Sequence, residues 1–331
     1  MAVFSRIVGT GSYLPEKVLT NADLEKMVET NDEWIVSRSG IRERHIAADG
    51  ETTGDLAFHA ATRALEAAGL AAADIELIVL GTTTPDVIFP STACLVQDRL
   101  GANGCPAFDV NAACSGFIYA LSIADKFIRT GAVRNALVMG AETLTRMVDW
   151  TDRGTCVLFG DGAGAVVVGP SDTPGIGPTV WGSDGTQRDA ISQRQAWTDL
   201  RESWQSSQAD KNVWPAIGMA GQTVFRWAVW GMAPVAQQAI DKAGIKADDL
   251  DAFIPHQANI RIIDAMVKQL KLPADIPVAR DIVTTANTSA ASIPIATTRM
   301  LAEKEIPSGG LALQIGFGAG LVYAAQVVVL P

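Results

Sequence analysis

A repeat at a nearly constant offset constrains the fold of this chain more than any other sequence feature. Residues 68–81 resemble residues 243–256 at an offset of 175, and residues 111–140 match residues 287–316 in pattern at an offset of 176. Two matches at nearly one offset indicate a gene duplication. The repeat therefore predicts an N-terminal half over residues 1–174 and a C-terminal half over residues 175–331, related by a pseudo-twofold axis.

Each half alternates apolar strand patterns with helix patterns, which is typical of an α/β layer with a mostly parallel sheet. Leu77–Gly81 is apolar throughout, as in a strand covered on both faces. Residues 157–169 predict two short strands that meet at a glycine turn, where the glycines serve tight packing because no phosphate-loop motif is present. Residues 183–216 are polar and tryptophan-rich, which indicates an inserted loop or lid.

Composition excludes several classes of protein. Hydrophobic residues make up 48% of the chain and charged residues 19%, so a large buried core is expected. The net charge of −10 argues against general binding of nucleic acid. The four cysteines form no CxxC pair and have no histidines at metal-ligand spacing, which indicates free thiols and no metal site. With no signal peptide and no apolar run of about 20 residues, the expected location is cytoplasmic and away from membranes.

One cysteine lies at a conspicuous place. Cys114 follows a short apolar segment and precedes a helix pattern that runs from Phe117 to Ile128. A thiol in the first turn of a helix lies beside unpaired N–H groups and the positive end of the helix dipole. These neighbours favour the thiolate and predict a pKa of about 3.5–7.5. The segment alone leaves two interpretations open, a nucleophile or a small buried apolar side chain.

The repeat indicates which polar residues are able to join Cys114. His256 follows a strand that corresponds to the strand ending at Gly81, and Asn287 precedes the second copy of the buried helix. Functional side chains of open α/β sheets gather at the carboxyl ends of strands. We therefore expect Cys114, His256 and Asn287 to converge near the pseudo-twofold axis.

A polar stretch from Thr30 to His45 combines Trp34 with several arginines. Arginine pairs with phosphate and indole stacks on a base, so the stretch suits a phosphate-bearing aromatic ligand. A solvated helix with a half-buried tryptophan is the alternative interpretation.

Four phrases together are characteristic of one family: DVNAACSGF, PHQAN, ANTSAASIP and GFGAGL. With TNDEWI near the start and TDRGT at residues 151–155, they resemble the β-ketoacyl-acyl carrier protein synthase III family of the thiolase superfamily over essentially the whole chain. The resemblance implies a five-layered αβαβα thiolase-like fold, a homodimer and a Cys114–His256–Asn287 triad. It also implies a reaction: condensation of an acyl-CoA primer with malonyl-acyl carrier protein, with loss of CO₂, to a 3-ketoacyl product.

The resemblance assigns further residues to the substrates, and no cofactor or metal. The backbone N–H groups of Cys114 and Ala319 would form the oxyanion site. Phe89 would close the acyl pocket of the partner across the dimer. Coenzyme A would contact Thr30, Trp34, Arg38, Arg153, Gly221 and Phe225, with adenine between Trp34 and Arg153. The acyl carrier protein would contact Arg226, Gln257, Arg261, Lys268 and Lys271.

Other members of the superfamily fit less well. Elongating synthases carry a second histidine where this chain has Asn287, thiolases use a second cysteine near the C-terminus, and no catalytic glutamate of an HMG-CoA synthase is identified. Chalcone-synthase-like enzymes share the triad but match the other phrases less closely. Two further alternatives stay open: a starter ketosynthase of a specialised polyketide pathway and a non-catalytic acyl-binding protein. Ala286, before Asn287, and Ala319 lie where the family often has glycine.

Overall fold

The computed structural model of the protein describes residues 4–205 and 214–331, without the side chains of residues 202–205. Residues 206–213 of the predicted insertion and residues 1–3 lie outside the described part. The strands are β1 Phe4–Tyr13, β2 Lys17–Thr20, β3 Glu43–Ile46, β4 Leu77–Gly81, β5 Ala107–Val110, β6 Ala136–Thr143, β7 Asp161–Ser171, β8 Val180–Gly182, β9 Ile191–Gln193, β10 Ile217–Met219, β11 Ala252–Pro255, β12 Leu311–Gly318 and β13 Val322–Val329.

The helices alternate with these strands along both halves of the chain. They are α1 Asn21–Leu24, α2 Asp32–Ser39, α3 Thr53–Ala68, α4 Thr92–Leu100, α5 Gly116–Arg129, α6 Trp197–Gln205, α7 Gly221–Ala243, α8 Ile260–Leu270, α9 Ile282–Thr285 and α10 Ser292–Ala302. Within the described residues, none of them combines the length and apolarity that a bilayer-spanning helix requires.

Two main sheets repeat the same strand order. The first has the order β1-β7-β6-β4-β5 and the second, read from its other edge, β8-β13-β12-β11. Beyond β11, Phe253 forms a parallel bridge with Val278 at the position that β5 fills in the first sheet. The order confirms the strand correspondence that the repeat predicts, because β4 matches β11 and β6 matches β12.

The prediction of mostly parallel sheets is wrong. Of the seven pairings in the two main sheets, β4–β5, β4–β6 and β11–β12 are parallel, and the others are antiparallel. Two of the antiparallel pairings join strands that are consecutive in the chain, β6 with β7 and β12 with β13, and no long helix lies between them. A parallel neighbour requires a crossover of a dozen or more residues, and these connections are shorter or lack a crossover helix.

The helices form three layers around the two sheets. In one core cluster, helices α5 and α10 lie between the two sheets and pack against side chains of β4, β6, β11 and β12. A second cluster packs α3 and α4 on the outer face of the first sheet, and a third packs α7 and α8 on the outer face of the second. This arrangement confirms the five-layered αβαβα fold. The central helices are apolar nearly all round because each is covered by a sheet on either side.

Two local predictions are wrong. Residues 161–171 form the single strand β7 rather than two strands joined by a turn. The glycines serve close packing instead: a Cβ at Gly164 would lie 2.7 Å from the Ile295 nitrogen at the start of α10. The predicted loop 183–216 contains β9 and α6, and β9 pairs with β10. The short turn Gly185–Ala190 at its start contacts the turn Ala319–Leu321 near the predicted oxyanion site.

Candidate active site

Cys114 lies in a tight 3₁₀ turn, Ala113–Ser115, that leads directly into α5. The turn begins with Ala113 in a left-handed conformation, φ 47°. The helix itself begins at Gly116, so Cys114 precedes the first α-helical turn rather than lying in it as predicted. Cys114 as a whole residue is partly exposed. All four cysteines are free thiols, as predicted.

The second half of the chain brings β12 directly against this turn. A Cβ at Gly318 would lie 2.8 Å from the Cys114 sulfur, and one at Gly316 would lie 3.0 Å from the Cys114 carbonyl oxygen. Only glycine fits at these two positions, since real Cβ atoms do not approach other atoms so closely. Ala319, the predicted second oxyanion residue, follows Gly318 in the chain.

His256 reaches the same place from the end of β11. Its backbone N–H donates to the Ile315 carbonyl on β12 at 2.7 Å, and its ring meets the Phe317 ring edge to face at a centroid distance of 5.3 Å. Ile315 and Phe317 flank Gly316, which touches the Cys114 turn. The ring is almost fully buried, and this burial lowers the pKa of His256 to about 3. His256 is therefore neutral at physiological pH.

The tautomer of His256 follows from its neighbours. The Ser292 hydroxyl accepts the Gln257 backbone N–H at 3.4 Å and lies 2.8 Å from Nδ1 of His256. When the Ser292 hydroxyl donates its proton to Nδ1, the ring proton lies on Nε2, and His256 offers a hydrogen-bond donor there.

Asn287 ends in a comparable geometry. Its Oδ1 accepts the backbone N–H of Ser289 at 2.8 Å, so its amide N–H₂ group remains available as a donor. The preceding residue, Ala286, has φ 54°, and Ser289 has φ 48°. Asn287 is 9% exposed. The turn that follows Asn287 and the strand β12, which pairs with the strand before His256, both contact the turn that carries Cys114.

The predicted low thiol pKa is wrong. Burial, which is opposed by Ser289 and reinforced by Glu142, raises the pKa of Cys114 to about 12. The helix-dipole argument considered only the local backbone, whereas desolvation depends on the layers that pack around the turn. The surroundings of Cys114 therefore do not favour the thiolate in the way that the local backbone predicts.

Comparisons with known proteins agree with this arrangement. The family model of 3-oxoacyl-[acyl-carrier-protein] synthase III matches residues 108–185, and the model of its C-terminal part matches residues 240–330. The β-ketoacyl-[acyl-carrier-protein] synthase III of Streptomyces glaucescens is 52% identical over all of this chain and 97% of its own length. That of Xanthomonas campestris is 52% identical over 98% of both chains. The chain belongs to this family.

Solved structures support the same assignment. The priming β-ketosynthase from the R1128 polyketide pathway matches with a TM-score of 0.94 and 44% identity, over 99% of this chain and 96% of its own. The 3-oxoacyl-[acyl-carrier-protein] synthase III of Aquifex aeolicus matches with a TM-score of 0.89 and 46% identity, over 98% of this chain and 99% of its own. The thiolase-like fold is therefore established for the synthase III chain described here.

The residues expected to bind coenzyme A gather in part around one indole ring. The guanidinium carbons of Arg38 and Arg153 lie 4.8 Å and 5.0 Å from the centroid of Trp34. An adenine between Trp34 and Arg153 needs about 7–8 Å, two layers at van der Waals distance. Arg153 would therefore have to move outward to admit a base. The hydroxyl oxygen of Thr30 is buried and has no hydrogen-bond partner among the described residues.

Gly221 and Phe225 lie at the exposed start of α7, and the Arg261 guanidinium covers the Phe225 ring at 5.1 Å. The predicted carrier residues Arg226, Arg261, Lys268 and Lys271 are all exposed, on α7 and at the start, side and end of α8. Helices α7 and α8 pack together, so these cations lie on two neighbouring helices. We call these four residues the basic patch.

Gln257 does not belong to that surface, contrary to the prediction. It is fully buried, and its side chain donates to the carbonyls of Pro255 and Ala279 and accepts the Ile282 N–H. These bonds fix the segment after β11, so Gln257 supports His256 instead of contacting a partner. Phe89, by contrast, is 83% exposed on the loop before α4, beside the exposed Val87 and Ile88.

Sequence reasoning missed two polar groups of the site. Glu142 on β6 is fully buried, and Ser289 is buried in the turn that packs against the Cys114 turn. The lone carboxylate at the end of the otherwise apolar run Ala136–Ala141 was the available signal for Glu142. In the described part of the chain, no group of three or more His, Cys, Asp or Glu side chains is arranged to hold a metal ion.

Proposed function

We propose that the protein catalyses the decarboxylative condensation of an acyl-CoA primer with malonyl-acyl carrier protein, which gives a 3-ketoacyl-acyl carrier protein and initiates fatty acid synthesis. The observation that carries the proposal is the meeting of one cysteine, from the first half, with two neutral hydrogen-bond donors from the second. Family membership supports the same substrates. The reaction needs no cofactor, because acyl-CoA is itself a substrate.

Acyl transfer is the first half-reaction. The sulfur of Cys114 attacks the thioester carbonyl carbon of acyl-CoA, and the carbonyl π electrons move onto oxygen. The backbone N–H groups of Cys114 and Ala319 stabilise this oxyanion. Collapse of the intermediate expels the thiolate of CoA and leaves the acyl group on Cys114 as a thioester, so one thioester replaces another at little energetic cost.

Decarboxylation and condensation form the second half-reaction. The bond between the malonyl carboxylate and the α-carbon breaks, CO₂ leaves, and the electron pair forms an enolate. The developing charge on the thioester oxygen is stabilised by Nε2–H of His256 and the amide of Asn287. Both donors are fixed in advance, His256 by Ser292 and Asn287 by the Ser289 backbone, which lowers the cost of reorganisation. The enolate then attacks the acyl carbon on Cys114, the bond from that carbon to sulfur breaks, and the released Cys114 thiolate takes up a proton, which restores the thiol.

Further parts of the proposal concern the partners. The basic patch suits an acidic carrier protein, because the net charge of −10 repels it elsewhere and so orients its approach. The exposed Val87, Ile88 and Phe89 and the half-exposed edge strand β5 suit contact with a second copy of the chain. In that homodimer, Phe89 closes the acyl pocket of the partner.

A condensation assay with malonyl-acyl carrier protein and a panel of acyl-CoA primers tests the proposed function. Formation of a 3-ketoacyl product is expected, together with one acyl adduct per chain by intact mass. A protein that binds acyl-CoA without forming the adduct would instead be a non-catalytic acyl-binding protein.

A starter ketosynthase of a polyketide pathway is the second candidate function, and the structural match to the R1128 priming enzyme favours it. The same primer panel separates the two functions when it is run with carrier proteins of both pathways. A preference for the polyketide carrier and for longer or branched primers would assign the chain to the second function.

A further inference from the structure

A fully buried arginine near Asn287 has no role in the reaction as described. Arg44 on β3 has no exposed surface. None of the ion pairs that the described residues form includes it, and its Nε has no hydrogen-bond partner among them. Burial lowers the pKa of Arg44 to about 10, so the guanidinium stays charged at neutral pH. A buried charge without a carboxylate partner is costly, and its hydrogen bonds have to offset that cost.

The guanidinium of Arg44 joins three segments of the first half. Nη1 donates to the Leu19 carbonyl at 3.2 Å and to Oδ1 of Asn21 at 2.9 Å, and Nη2 donates to the Val157 carbonyl at 3.0 Å. The planar guanidinium fixes the directions of its donors, whereas the ammonium group of a lysine does not. Arg44 therefore fixes the segment that begins at Val157 relative to β2 and α1.

That segment holds the backbone of Asn287. The Asn287 N–H donates to the Leu158 carbonyl at 2.9 Å, and the Gly160 N–H donates to the Asn287 carbonyl at 3.1 Å. The packing is close as well: a Cβ at Gly160 would lie 2.5 Å from the Thr285 carbonyl oxygen and 3.3 Å from Cβ of Arg44. Arg44 therefore acts on the position of Asn287 through the segment between them.

The residue before Asn287 needs to be held by its surroundings. Ala286 has φ 54° and ψ −160°, a backbone conformation that is almost restricted to glycine. A strained conformation of this kind persists only where the surrounding structure determines it. Glycine would adopt the same conformation without strain. Because this chain has alanine at position 286, Asn287 depends more strongly on the contacts that hold its backbone.

We propose that Arg44 is a positioning residue for decarboxylation: it holds residues 157–160 against the strained turn at Ala286 and thereby keeps the amide donor of Asn287 in place. This inference rests on the proposed function, which assigns Asn287 to the stabilisation of the enolate. Cys114 lies on a different turn, and none of the hydrogen bonds of Arg44 goes to that turn. Acyl transfer should therefore depend much less on Arg44.

Arg44→Met tests the proposal, because methionine fills part of the same space and cannot donate a hydrogen bond. Release of CO₂ from malonyl-acyl carrier protein is expected to fall by about 10- to 100-fold, since a displacement of about 1 Å is able to cost about 100-fold. Acyl transfer at saturating acetyl-CoA, followed by intact mass, is expected to change little. Equal losses in the two half-reactions would overturn the proposal.

Arg44→Lys covers the case in which Arg44→Met does not fold. Lysine keeps the charge and some of the hydrogen bonds but not their fixed directions, so the same imbalance is expected at a smaller size. If only Arg44→Lys folds, unchanged decarboxylation or an equal loss in both half-reactions refutes the proposal.

A double variant separates positioning from a general loss of stability. Ala286→Gly removes the strain at the turn, so in the Arg44→Met background it is expected to restore most of the lost decarboxylation in the folded protein. If decarboxylation stays as low as in Arg44→Met alone, Arg44 does not hold the strained turn and the proposal is wrong.

Asp125→Asn is the matched control for the loss of a buried charge. Asp125 is buried on α5, and its hydrogen bond and ion pairs go to Ser5, Lys126 and Arg129. The variant is expected to lower the melting temperature and to leave the ratio of the two half-reactions unchanged. A change of that ratio as large as in Arg44→Met would assign the effect to lost stability and refute the proposal.

Hydrogen exchange needs no substrate and so separates this proposal from the proposed function. The N–H groups of Asn287 and Gly160 are expected to exchange faster in Arg44→Met than in the wild type, while the Ser115 N–H, which donates to the Ala112 carbonyl at 3.0 Å, keeps its rate. Faster exchange in a protein that performs neither half-reaction would sustain the hold on Asn287 and refute the proposed function. Condensation by the wild type together with unchanged exchange in Arg44→Met would do the reverse.

Discussion

The two halves of the molecule contain the same turn and use it differently. In the first half, the Asn111 side chain accepts the Ala113 N–H at 3.4 Å, Ala113 has φ 47°, and a 3₁₀ turn leads into α5. In the second half, Asn287 accepts the Ser289 N–H at 2.8 Å, Ser289 has φ 48°, and a 3₁₀ turn leads into α10.

The two turns differ in the position at which the functional residue lies. The first turn places Cys114 after its left-handed residue, where the second turn has Ala290. The second turn buries its asparagine, whereas Asn111 is exposed. One backbone motif thus presents a nucleophile in one half and a hydrogen-bond donor in the other. We infer that duplication supplied two equivalent turns at the axis and that each half took one part of the reaction.

The largest expected effect falls on the first turn. Cys114→Ala is expected to abolish acyl transfer, a loss on the order of 10⁴-fold or more, because the nucleophile is removed. Decarboxylation of malonyl-acyl carrier protein should continue, since its donors belong to the second half. Intact mass and CO₂ release measure the two reactions. An acyl adduct on a residue other than Cys114 would contradict the assignment of the nucleophile to the first turn.

The matching change in the second turn should have the reverse effect. Asn287→Asp replaces an amide donor with a carboxylate that repels the enolate, so decarboxylation is expected to fall by about 10²–10³-fold. Acyl transfer should be much less affected. The control is His256→Ala, which removes the other donor and should also slow decarboxylation more. Equal loss in both half-reactions would contradict the division between the halves.

The contact between the halves can be tested through stability. Gly140→Ala would place a methyl group against the Ala290 carbonyl, and we expect the free energy of unfolding to fall by about 1–3 kcal/mol. Gly231→Ala is the matched control, because a Cβ there would make only an ordinary van der Waals contact, 3.6 Å from the Trp227 ring, and α7 should gain about 0.5–1 kcal/mol. Urea unfolding measures both. If Gly140→Ala does not lower the free energy of unfolding, the turn Ser289–Ala291 is able to shift and accommodate the added methyl group.

The surface of the second half should determine carrier affinity. Arg261→Glu reverses a charge in the basic patch and is expected to raise the KM for malonyl-acyl carrier protein about tenfold, with acyl-CoA kinetics spared. Lys246→Glu is an equal reversal at an exposed position outside the patch. Steady-state kinetics with both substrates distinguish the variants. If the KM for malonyl-acyl carrier protein is unchanged in Arg261→Glu, the basic patch does not bind the carrier protein as proposed.

The smallest expected effect concerns the loop of the first half. Phe89→Ala is expected to change the preferred primer length with little change in overall rate, because Phe89 acts only at the end of the partner's acyl pocket. Competition between short and long acyl-CoA primers measures the preference. An unaltered preference would count against the proposed position of Phe89.

Much of this arrangement was accessible from the sequence, because it depends on local pattern. The repeat predicted the matching strands and helices, and the motifs predicted the gathering of Cys114, His256 and Asn287. The pKa of the Cys114 thiol could not be predicted from the sequence, because it depends on how completely the packed layers remove water from Cys114. Gln257 looked like a surface residue for the same reason: its partners Ala279 and Ile282 are distant in sequence. Periodicity also did not reveal that Glu142 would be buried among hydrogen bonds from Thr83 and Thr84.

The glycines at the axis bear on how the two copies were able to evolve. Gly140 of the first half rests on the turn of the second, and Gly316 of the second rests on the turn of the first. Each copy thus completes the other's surface, much as two subunits of an obligate dimer do. Neither copy could lengthen a side chain at these positions without disturbing its sister. A gene fusion that began as two identical subunits would have become irreversible there, and we expect the halves, expressed separately, to require each other to fold.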